Sequence, residues 1–343
     1  MVVFYVDVEL HTVKDVTEKI NTVSFKTVGE EEYGTRIDNY LIRVLRGVPK
    51  SMIYRIVRKG EVRVNKKRVK PEYKVAVGDV VRIPPIRTTE APVILPSAGL
   101  KKVSSLADAI IFENEGLLVI NKPAHMSVHG GSGVDYGVIE ALRALRPEAR
   151  YLELAHRLDR ETSGCLIIAK KRSALRVLHE QFREKDMHKQ YLALVKGKFS
   201  SRLKLVNAPL LKNTLSSGER FVRVDEVNGK PSITDFNIRE SFGDVTLVEA
   251  APRTGRTHQI RVHLAYKNYP ILGDDKYGDR VFDEQYKKLG LSRMFLHAEK
   301  ITFTDPISEK ELTITAPLPA ELNNLLVNLR KRNSLENEDL GVV

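Results

Sequence analysis

Positive charge is concentrated in one short part of this 343-residue chain, and that concentration limits what the segment can build. Residues 33–90 contain fifteen Lys and Arg against five Asp and Glu, so they carry ten of the twelve net positive charges. Because charged side chains are rarely buried unless they are paired, most of these residues must cover the surface of a small module. A basic surface of this density indicates a polyanionic partner, and nucleic acid is the first candidate.

Apolar spacing within the same segment predicts two helices followed by short strands. Ile37 and Leu41 recur at helical spacing, and a second helix begins after Pro49. That second helix carries basic side chains opposite its apolar face, namely Arg55, Arg58 and Lys59. Alternating valines then predict strands around a turn at residues 65–66. This arrangement is typical of a compact RNA-binding module, although a solvated basic face without a ligand would give the same composition.

The segment resembles the S4 RNA-binding domain over almost its full length. The resemblance is carried by Arg36–Tyr40 (RIDNY), Ser51–Arg55 (SMIYR), Gly60–Asn65 (GEVRVN) and Gly78–Asp79. It implies a module that binds structured RNA through phosphates, since the major groove of A-form RNA is too narrow for side chains to read bases. The basic residues that would make these contacts are Arg55, Arg58, Lys59, Lys66 and Lys67.

Composition predicts further boundaries along the chain. We expect a leader without an assigned role (1–32), the basic module (33–90), a linker (91–107), a large domain (108–325) and a frayed tail (326–343). The linker prediction is based on a proline-rich stretch without periodicity, and the tail prediction on an acidic C-terminus.

Cysteine content and hydropathy indicate a cytoplasmic protein. The one cysteine, Cys165, allows neither an internal disulfide nor a cysteine-based zinc site, which fits a reducing compartment. The N-terminus lacks the basic n-region of a signal peptide. No apolar run approaches the ~20 residues that would span a bilayer. We therefore expect a soluble protein without a membrane segment.

The large domain has the pattern of an antiparallel sheet with helices. Two apolar runs, at residues 110–112 and 117–120, flank a turn and predict a β-hairpin. Helical periodicity occurs at residues 138–145 and 173–184, and a strand is predicted at residues 191–195. Later apolar runs alternate without a repeating βαβ pattern. The expected fold class is α+β, with a large, mixed, mainly antiparallel sheet beside the small module.

One carboxylate stands in a dense polar loop between two strand-like runs of the large domain. The loop is His156–Gly164 (HRLDRETSG), in which Asp159 lies between Arg157 and Arg160. An aspartate in a polar loop is most often a turn residue or half of a structural ion pair. The arginines favour a functional interpretation, because a carboxylate that arginine keeps ionised remains a nucleophile or base at neutral pH.

A second arginine-rich loop and an isolated tyrosine could complete a site around this carboxylate. The loop is Arg253–His263 (RTGRTHQIRVH), where Thr257 is predicted to cap a helix with Arg256 just before its start. An anion near that helix N-terminus would also meet exposed N–H groups. Tyr191 opens a predicted strand beside polar residues. An aromatic ring with a free face suits a nucleobase that has been flipped out of its stack.

Together these stretches resemble the RluA family of pseudouridine synthases. The resemblance is carried, in family order, by His156–Gly164, Lys189–Val195 (KQYLALV) and Gly255–His263, and with the S4-like module it covers about residues 33–320. It implies the pseudouridine synthase fold for the large domain. The implied roles are catalytic nucleophile (Asp159), stacking on the flipped base near C5 (Tyr191), pairing with the aspartate (Arg256) and entry into the RNA stack (Arg157).

The resemblance implies isomerisation of specific uridines in bacterial large-subunit (23S) ribosomal RNA. The base would flip out, the N1–C1′ bond would break, and C5 would bond to C1′ with loss of the C5 proton. Asp159 would attack or deprotonate the ribose, or add to the base ring, and the residues leave these routes open. The reaction involves no redox change or group transfer, so no cofactor or metal is expected. No required protein partner is indicated.

Two other functions stay open at this point. The motifs do not separate ribosomal RNA from transfer RNA or another structured RNA, and a non-catalytic RNA-binding assembly factor would carry the same basic module. An aminoacyl-tRNA synthetase with an S4 domain is excluded, because the chain has no HIGH-like or KMSKS-like ATP-binding motif.

Overall fold

The chain forms two compact units, residues 1–94 and 95–343. The computed structural model describes residues 22–45, 48–86, 95–130, 136–214 and 220–339. Each unit combines helices and strands around buried apolar residues of its own. The predicted α+β class is therefore confirmed.

The smaller unit is built on a four-stranded antiparallel sheet with the order β1-β4-β2-β3. Its strands are β1 (Ser24–Thr27), β2 (Arg63–Val64), β3 (Lys67–Arg68) and β4 (Val80–Ile83). Helices α1 (Ile37–Val44) and α2 (Lys50–Arg58) bury their apolar faces in the same core as the sheet. Gly60, with φ of 73°, follows the end of α2 in the left-handed conformation that glycine adopts without steric cost.

The basic residues predicted to contact RNA are all exposed on this unit. Arg55, Arg58 and Lys59 lie along α2 and its C-terminus, opposite the buried face formed by Ile53, Ile56 and Val57. Lys66 and Lys67 lie at the turn between β2 and β3. Helical periodicity thus separates the charged and apolar faces as the sequence predicts.

A buried aspartate fixes the conformation of this turn. Asp79 accepts hydrogen bonds from the Asn65 side chain (2.7 Å), the Tyr73 hydroxyl (2.9 Å) and the Ala76 N–H (2.9 Å). Burial acts to raise the pKa of Asp79, but these hydrogen bonds hold it below its usual range. The ionised carboxylate therefore keeps Asn65, and the basic residues that follow it, in a defined position.

Two predicted domain boundaries are wrong, one at the start of the small module and one at the start of the large domain. The sequence predicts a leader without an assigned role over residues 1–32, separate from the small module, but β1 pairs with β4 and Val28 is buried in the module's core. Residues 1–21 of that leader lie outside the described residues. The predicted linker includes residues 101–107, but these form most of helix α3 (Lys101–Asp108), whose Val103 and Leu106 are buried in the larger unit. Residues 91–94 of the linker are not among those described.

The larger unit is built on a ten-stranded sheet, with a separate two-stranded sheet beside it. The main path of the large sheet is β10-β13-β14-β9-β15-β8-β6-β5, while β16 pairs with β15 and β7 with β8. Only the β15–β8 pair among the described strand pairs is parallel, which confirms the mainly antiparallel sheet. The strands are β5 (Ile110–Glu113), β6 (Leu117–Lys122), β7 (Glu153–Leu154), β8 (Ser163–Ala169), β9 (His188–Lys196), β10 (Leu205–Asn207), β11 (Leu210–Thr214), β12 (Arg220–Val224), β13 (Ile233–Ser241), β14 (Val245–Pro252), β15 (Leu296–Thr304) and β16 (Glu311–Thr315).

Helices cover both faces of this sheet. They are α3, α4 (Val138–Leu145), α5 (Arg172–Glu184), α6 (Gln259–Tyr266), α7 (Arg280–Lys287) and α8 (Ala320–Asp339). Side chains alternate along β8, so that Leu166 contacts the core beneath α3 and α4 while Ile167 contacts the core beneath α5. None of the helices described is long and apolar enough to cross a membrane.

The predicted frayed tail is wrong for its first part. Helix α8 continues through residue 339, and Leu326 and Leu329 are buried against α7 and the sheet. Arg330 pairs with Glu240 at 2.7 Å, which holds the next turn of the helix to β13. Residues 340–343 lie outside the described part of the chain.

Candidate active site

The order of four strands brings the separated sequence motifs to one cleft. Strand β15 lies between β8 and β9, and β14 pairs with β9 so that Ala250 lies opposite Tyr191. The loop before β8 carries Asp159, and the loop after β14 leads into α6. The cleft has a volume of about 470 Å³ and is lined by residues 156–159, 252–261, Thr162, Phe182, Arg183, Lys185, Met187, Lys189, Tyr191 and Leu296.

Two side chains hold the Asp159 loop in place, the half-buried His156 and the buried Lys122. His156 Nε2 accepts a hydrogen bond from the Ile167 N–H (3.0 Å), which ties the loop to β8. Burial, and then the charge of Lys189, lower the pKa of His156 to about 3. His156 is therefore neutral at physiological pH, and its ring has a structural role.

Lys122, at the end of β6, is the second side chain that holds the Asp159 loop, and backbone carbonyls surround its ammonium group. Its Nζ donates to the carbonyl oxygens of Pro123 (2.7 Å), Met126 (2.9 Å) and Arg160 (3.2 Å). Burial lowers the pKa of Lys122 to about 7, while the nearby carboxylates of Glu161 and Asp159 oppose that shift. The contact with the Arg160 carbonyl fixes the residue that follows Asp159.

Arg261, and not Arg256, approaches the carboxylate of Asp159. Arg261 Nη1 lies 3.5 Å from Asp159 Oδ2. Arg256 instead donates from its Nε to the Pro231 carbonyl oxygen at 3.2 Å, and its side chain is exposed at the edge of the cleft. The expected pairing of Arg256 with Asp159 is therefore wrong.

The point at which α6 begins explains this difference. Thr257 does not cap the helix as predicted, because the N-cap residue is His258 in a left-handed conformation (φ 52°). The Gln259 side chain instead accepts hydrogen bonds from the Arg256 N–H (3.0 Å) and the Thr254 hydroxyl (2.7 Å). This turns Arg256 outward and places Arg261 inside the first turn of the helix.

Arg261 is held in a buried ion pair that orients it toward Asp159. Its Nε and Nη2 donate to the two carboxylate oxygens of Asp274, each at 2.7 Å. The side chains of Arg261 and Asp274 are 7% and 0% exposed. Bidentate geometry of this kind fixes the guanidinium plane, so the remaining nitrogen, Nη1, points at Asp159 without freedom to rotate.

His258 and Tyr277 form a second group beside the same carboxylate. His258 Nε2 lies 3.9 Å from Asp159 Oδ2, and its Nδ1 lies 2.8 Å from the Tyr277 hydroxyl. The Arg261 guanidinium stacks over the Tyr277 ring, 5.1 Å from its centroid. Asp159 itself is 21% exposed and faces the cleft.

Tyr191 lines the cleft from β9. Burial, and then the negative charge of Asp159, raise the pKa of its phenol. The ring therefore stays neutral and provides an aromatic surface beside the carboxylate. Burial also lowers the pKa of Lys189, two residues earlier on the same strand, which lines the cleft as well.

The structure thus brings Asp159, Tyr191, Arg157 and Arg256 to one cleft, with Arg157 exposed. The residues that sequence reasoning missed are Lys122, His258, Arg261, Asp274 and Tyr277. Arg261 and His258 belong to the predicted Arg253–His263 motif, but the spacing of residues does not indicate which side chains of a motif turn inward. Nothing in the sequence near Asp274 or Tyr277 indicated a site. Among the residues described, no group of three His, Cys, Asp or Glu side chains is arranged to hold a metal ion.

Comparison with known proteins identifies both parts of the chain. The model of the RNA pseudouridylate synthase family matches residues 116–266, and the model of the S4 domain matches residues 35–81. The chain is 60% identical over 312 residues to the ribosomal large subunit pseudouridine synthase C of Pasteurella multocida, and the alignment covers 91% of this chain and 95% of that protein. It is 58% identical over 316 residues to the protein of the same name from Escherichia coli (strain K12), covering 91% and 99%.

A solved structure is similar over the larger part of the chain. The structure of human RNA pseudouridylate synthase domain containing 4 superimposes with a TM-score of 0.55 at 28% sequence identity. The match covers 66% of this chain and 95% of the human one.

Proposed function

Because the chain belongs to the RNA pseudouridylate synthase family, we propose that it isomerises specific uridines of bacterial large-subunit (23S) ribosomal RNA to pseudouridine. The protein is an RNA pseudouridine synthase with an S4 domain, so the alternative of a non-catalytic assembly factor is set aside. The choice of ribosomal RNA follows the names of relatives that match it over nearly their whole length.

The proposed mechanism is based on one observation: Asp159, Tyr191 and Arg261 line the same cleft. Asp159 is the nucleophile in this proposal, because it is an accessible carboxylate with a buried arginine beside it. Arg261 takes the pairing role that the sequence resemblance had given to Arg256. Its geometry is set by Asp274 before substrate arrives, so no reorganisation is needed when charge develops in the reaction.

The substrate would enter this cleft as a flipped nucleotide. Removing a base from its stack costs a few kcal/mol, and least in a loop or bulge. In the cleft the uracil would stack on the Tyr191 ring, and the exposed guanidinium of Arg157 would take its place in the RNA. Uracil leaves as an anion delocalised over its ring. One carboxylate can therefore suffice, whereas glycosidases use a second one to protonate an alkoxide.

The S4 domain would bind structured RNA through its exposed basic residues. Contacts to phosphate supply affinity without reading sequence, which suits a module whose charges lie on one helix and one turn. Bacterial ribosomal RNA is made and assembled in the cytoplasm, so a cytoplasmic location is part of the proposal. The proposal includes neither a cofactor nor a required protein partner.

Asp159→Asn tests the catalytic assignment. The variant should bind ribosomal RNA about as tightly as the wild type but form no pseudouridine, because the amide is not a nucleophile. Asp108→Asn, an exposed aspartate at the end of α3, is the matched control and should keep full activity. A normal rate of pseudouridine formation in Asp159→Asn would overturn the assignment.

The substrate is tested separately by mapping pseudouridines in all stable RNAs from cells with and without this gene. Loss of sites in 23S ribosomal RNA alone supports the proposal. Loss only in transfer RNA would replace the proposed substrate and leave the reaction unchanged.

A further inference from the structure

Two side-chain nitrogen atoms lie near the same oxygen of the Asp159 carboxylate, one at the limit of hydrogen-bond distance and one just beyond it. Arg261 Nη1 lies 3.5 Å and His258 Nε2 lies 3.9 Å from Oδ2. Among the residues that the structure describes, the hydrogen bond that a side chain donates to this carboxylate ends on Oδ2 and none ends on Oδ1. The two carboxylate oxygens are therefore in different environments, since Oδ2 lies beside Arg261 and His258 and Oδ1 receives no such hydrogen bond.

The hydrogen bonds of Tyr277 decide which nitrogen of His258 carries its proton. The Val222 N–H donates to the Tyr277 hydroxyl oxygen at 3.0 Å. The hydroxyl proton is then free for one acceptor, and His258 Nδ1 lies 2.8 Å away. Because Nδ1 accepts, a neutral His258 carries its proton on Nε2, the atom that faces Asp159.

Protonation of both side chains agrees with this arrangement. Burial lowers the pKa of His258, so the imidazole is neutral near physiological pH. Burial raises the pKa of Tyr277, so the phenol keeps the proton that it donates. His258 is 13% exposed, and its ring packs edge-on against Tyr277 with 5.6 Å between centroids. The ring is thus held between Tyr277 and the carboxylate.

We propose that His258 is a positioning residue that, with Arg261, anchors Oδ2 of Asp159 and leaves Oδ1 as the oxygen that reacts. This inference rests on the proposed function, since it assigns a task to the nucleophile of that reaction. Tyr277 acts through His258 by fixing its Nε2–H form and through Arg261 by stacking beneath it. A freely rotating carboxylate would present either oxygen, and only part of its orientations would be in line with the substrate.

The arrangement also links the site to the hairpin formed by β11 and β12. Val222 belongs to β12, which lies outside the large sheet, and the ring of its neighbour Phe221 lies 5.3 Å from Tyr277. The hydrogen bond from Val222 is the one that turns the phenol proton toward His258. Displacement of the hairpin would therefore reach Asp159 through two hydrogen-bonded side chains.

Three variants separate donation by His258 from a role in shape. His258→Gln keeps an N–H donor at the position of Nε2, His258→Phe keeps the ring without a donor, and Tyr277→Phe removes only the hydroxyl. The measurement is the single-turnover rate of pseudouridine formation at saturating enzyme, together with the Kd for ribosomal RNA and the melting temperature. We expect both phenylalanine variants to lose about tenfold or more in rate with unchanged Kd, and the glutamine variant to recover most of the loss.

Each other outcome overturns the inference. Full rates in both phenylalanine variants would show that His258 does not position Asp159. Equal losses in all three variants would show that ring shape matters and donation does not. A change confined to Kd would make His258 an RNA contact. If His258→Phe fails to fold, Tyr277→Phe decides alone, since it keeps the packing of the ring. Failure of the proposed function is distinct, because the wild-type protein would then form no pseudouridine.

Discussion

Replacing Gly164 by alanine should destabilise the larger unit, although the residue lies in the motif that carries the catalytic aspartate. Gly164 is in β8, where it faces Ala298 across the parallel pair with β15, and its φ is 112°. A Cβ at this position would lie 2.2 Å from the Ala298 carbonyl oxygen and 2.7 Å from the Ala298 N and C atoms. All of these are backbone atoms at the junction that joins β8 to the rest of the sheet.

The cost of this substitution follows from two separate effects. Holding an L-residue at positive φ costs ~1–2 kcal/mol, and separating a packed backbone by more than half an ångström adds ~1–3 kcal/mol. The sum is ~2–5 kcal/mol, a large part of the ~5–15 kcal/mol that stabilises a typical domain. Gly243→Ala is the matched control, because Gly243 also has positive φ (77°) but its Cβ would meet nothing within 4 Å. It should cost only ~1 kcal/mol.

Urea denaturation of the three full-length proteins measures this difference. The chain has no tryptophan, so far-ultraviolet circular dichroism is the suitable signal. With m-values of ~2–3 kcal/mol/M, Gly164→Ala should shift the unfolding midpoint of the larger unit down by about 1 M, against a few tenths for Gly243→Ala. Equal shifts in the two variants would show that the close approach of Ala298 does not contribute to the cost of the substitution.

Other contacts lead to further predictions. Arg261→Gln should lower the rate of pseudouridine formation at least tenfold and the free energy of unfolding by about 3 kcal/mol, because the carboxylates of Asp159 and Asp274 lose a buried cation. Arg256→Gln should keep a near-normal rate. Equal rates in these variants would contradict the assignment. Hydrogen bonds from Arg146 hold the pKa of Glu113 at about 2, so this carboxylate stabilises the fold above about pH 4.5 and ceases to do so as the pH falls to about 2. Glu113→Gln should therefore differ from the wild type in thermal unfolding at pH 7 but not near pH 2, and a constant difference would exclude the ion pair as its cause. Replacing Arg55, Arg58 and Lys59 of α2 with glutamine should make RNA affinity depend less steeply on salt concentration. An unchanged salt dependence would show that this helix does not contact the RNA.

Elements with strong local periodicity could be predicted from the sequence nearly to the residue. The helix predicted at residues 138–145 has those bounds, and the hairpin and the strand at Tyr191 are present with small extensions. Periodicity is a local property, because the spacing of apolar side chains sets both the helix and the face that it buries.

Three elements escaped prediction because distant partners decide their burial. Strand β1 belongs to the small unit only through its pairing with β4, more than fifty residues away. Helix α3 follows a proline-rich stretch, and its short apolar face is recognisable only beside α4. Helix α8 enters an acidic tail but is kept ordered by leucines that contact α7.

The family, the S4 domain and the three motifs that meet in the cleft could all be recognised from the sequence. Motifs are contiguous, so residue types and spacing suffice to recognise them. Which arginine reaches Asp159, and that His258 lies beside it, depends on the tertiary structure. Arg261 and Asp159 are 102 positions apart, and their contact depends on the strand order β8-β15-β9-β14, on Gln259 holding the start of α6 and on Asp274 fixing the guanidinium. A side chain's direction is set by the contacts around it, and in this site most of those contacts come from other parts of the chain.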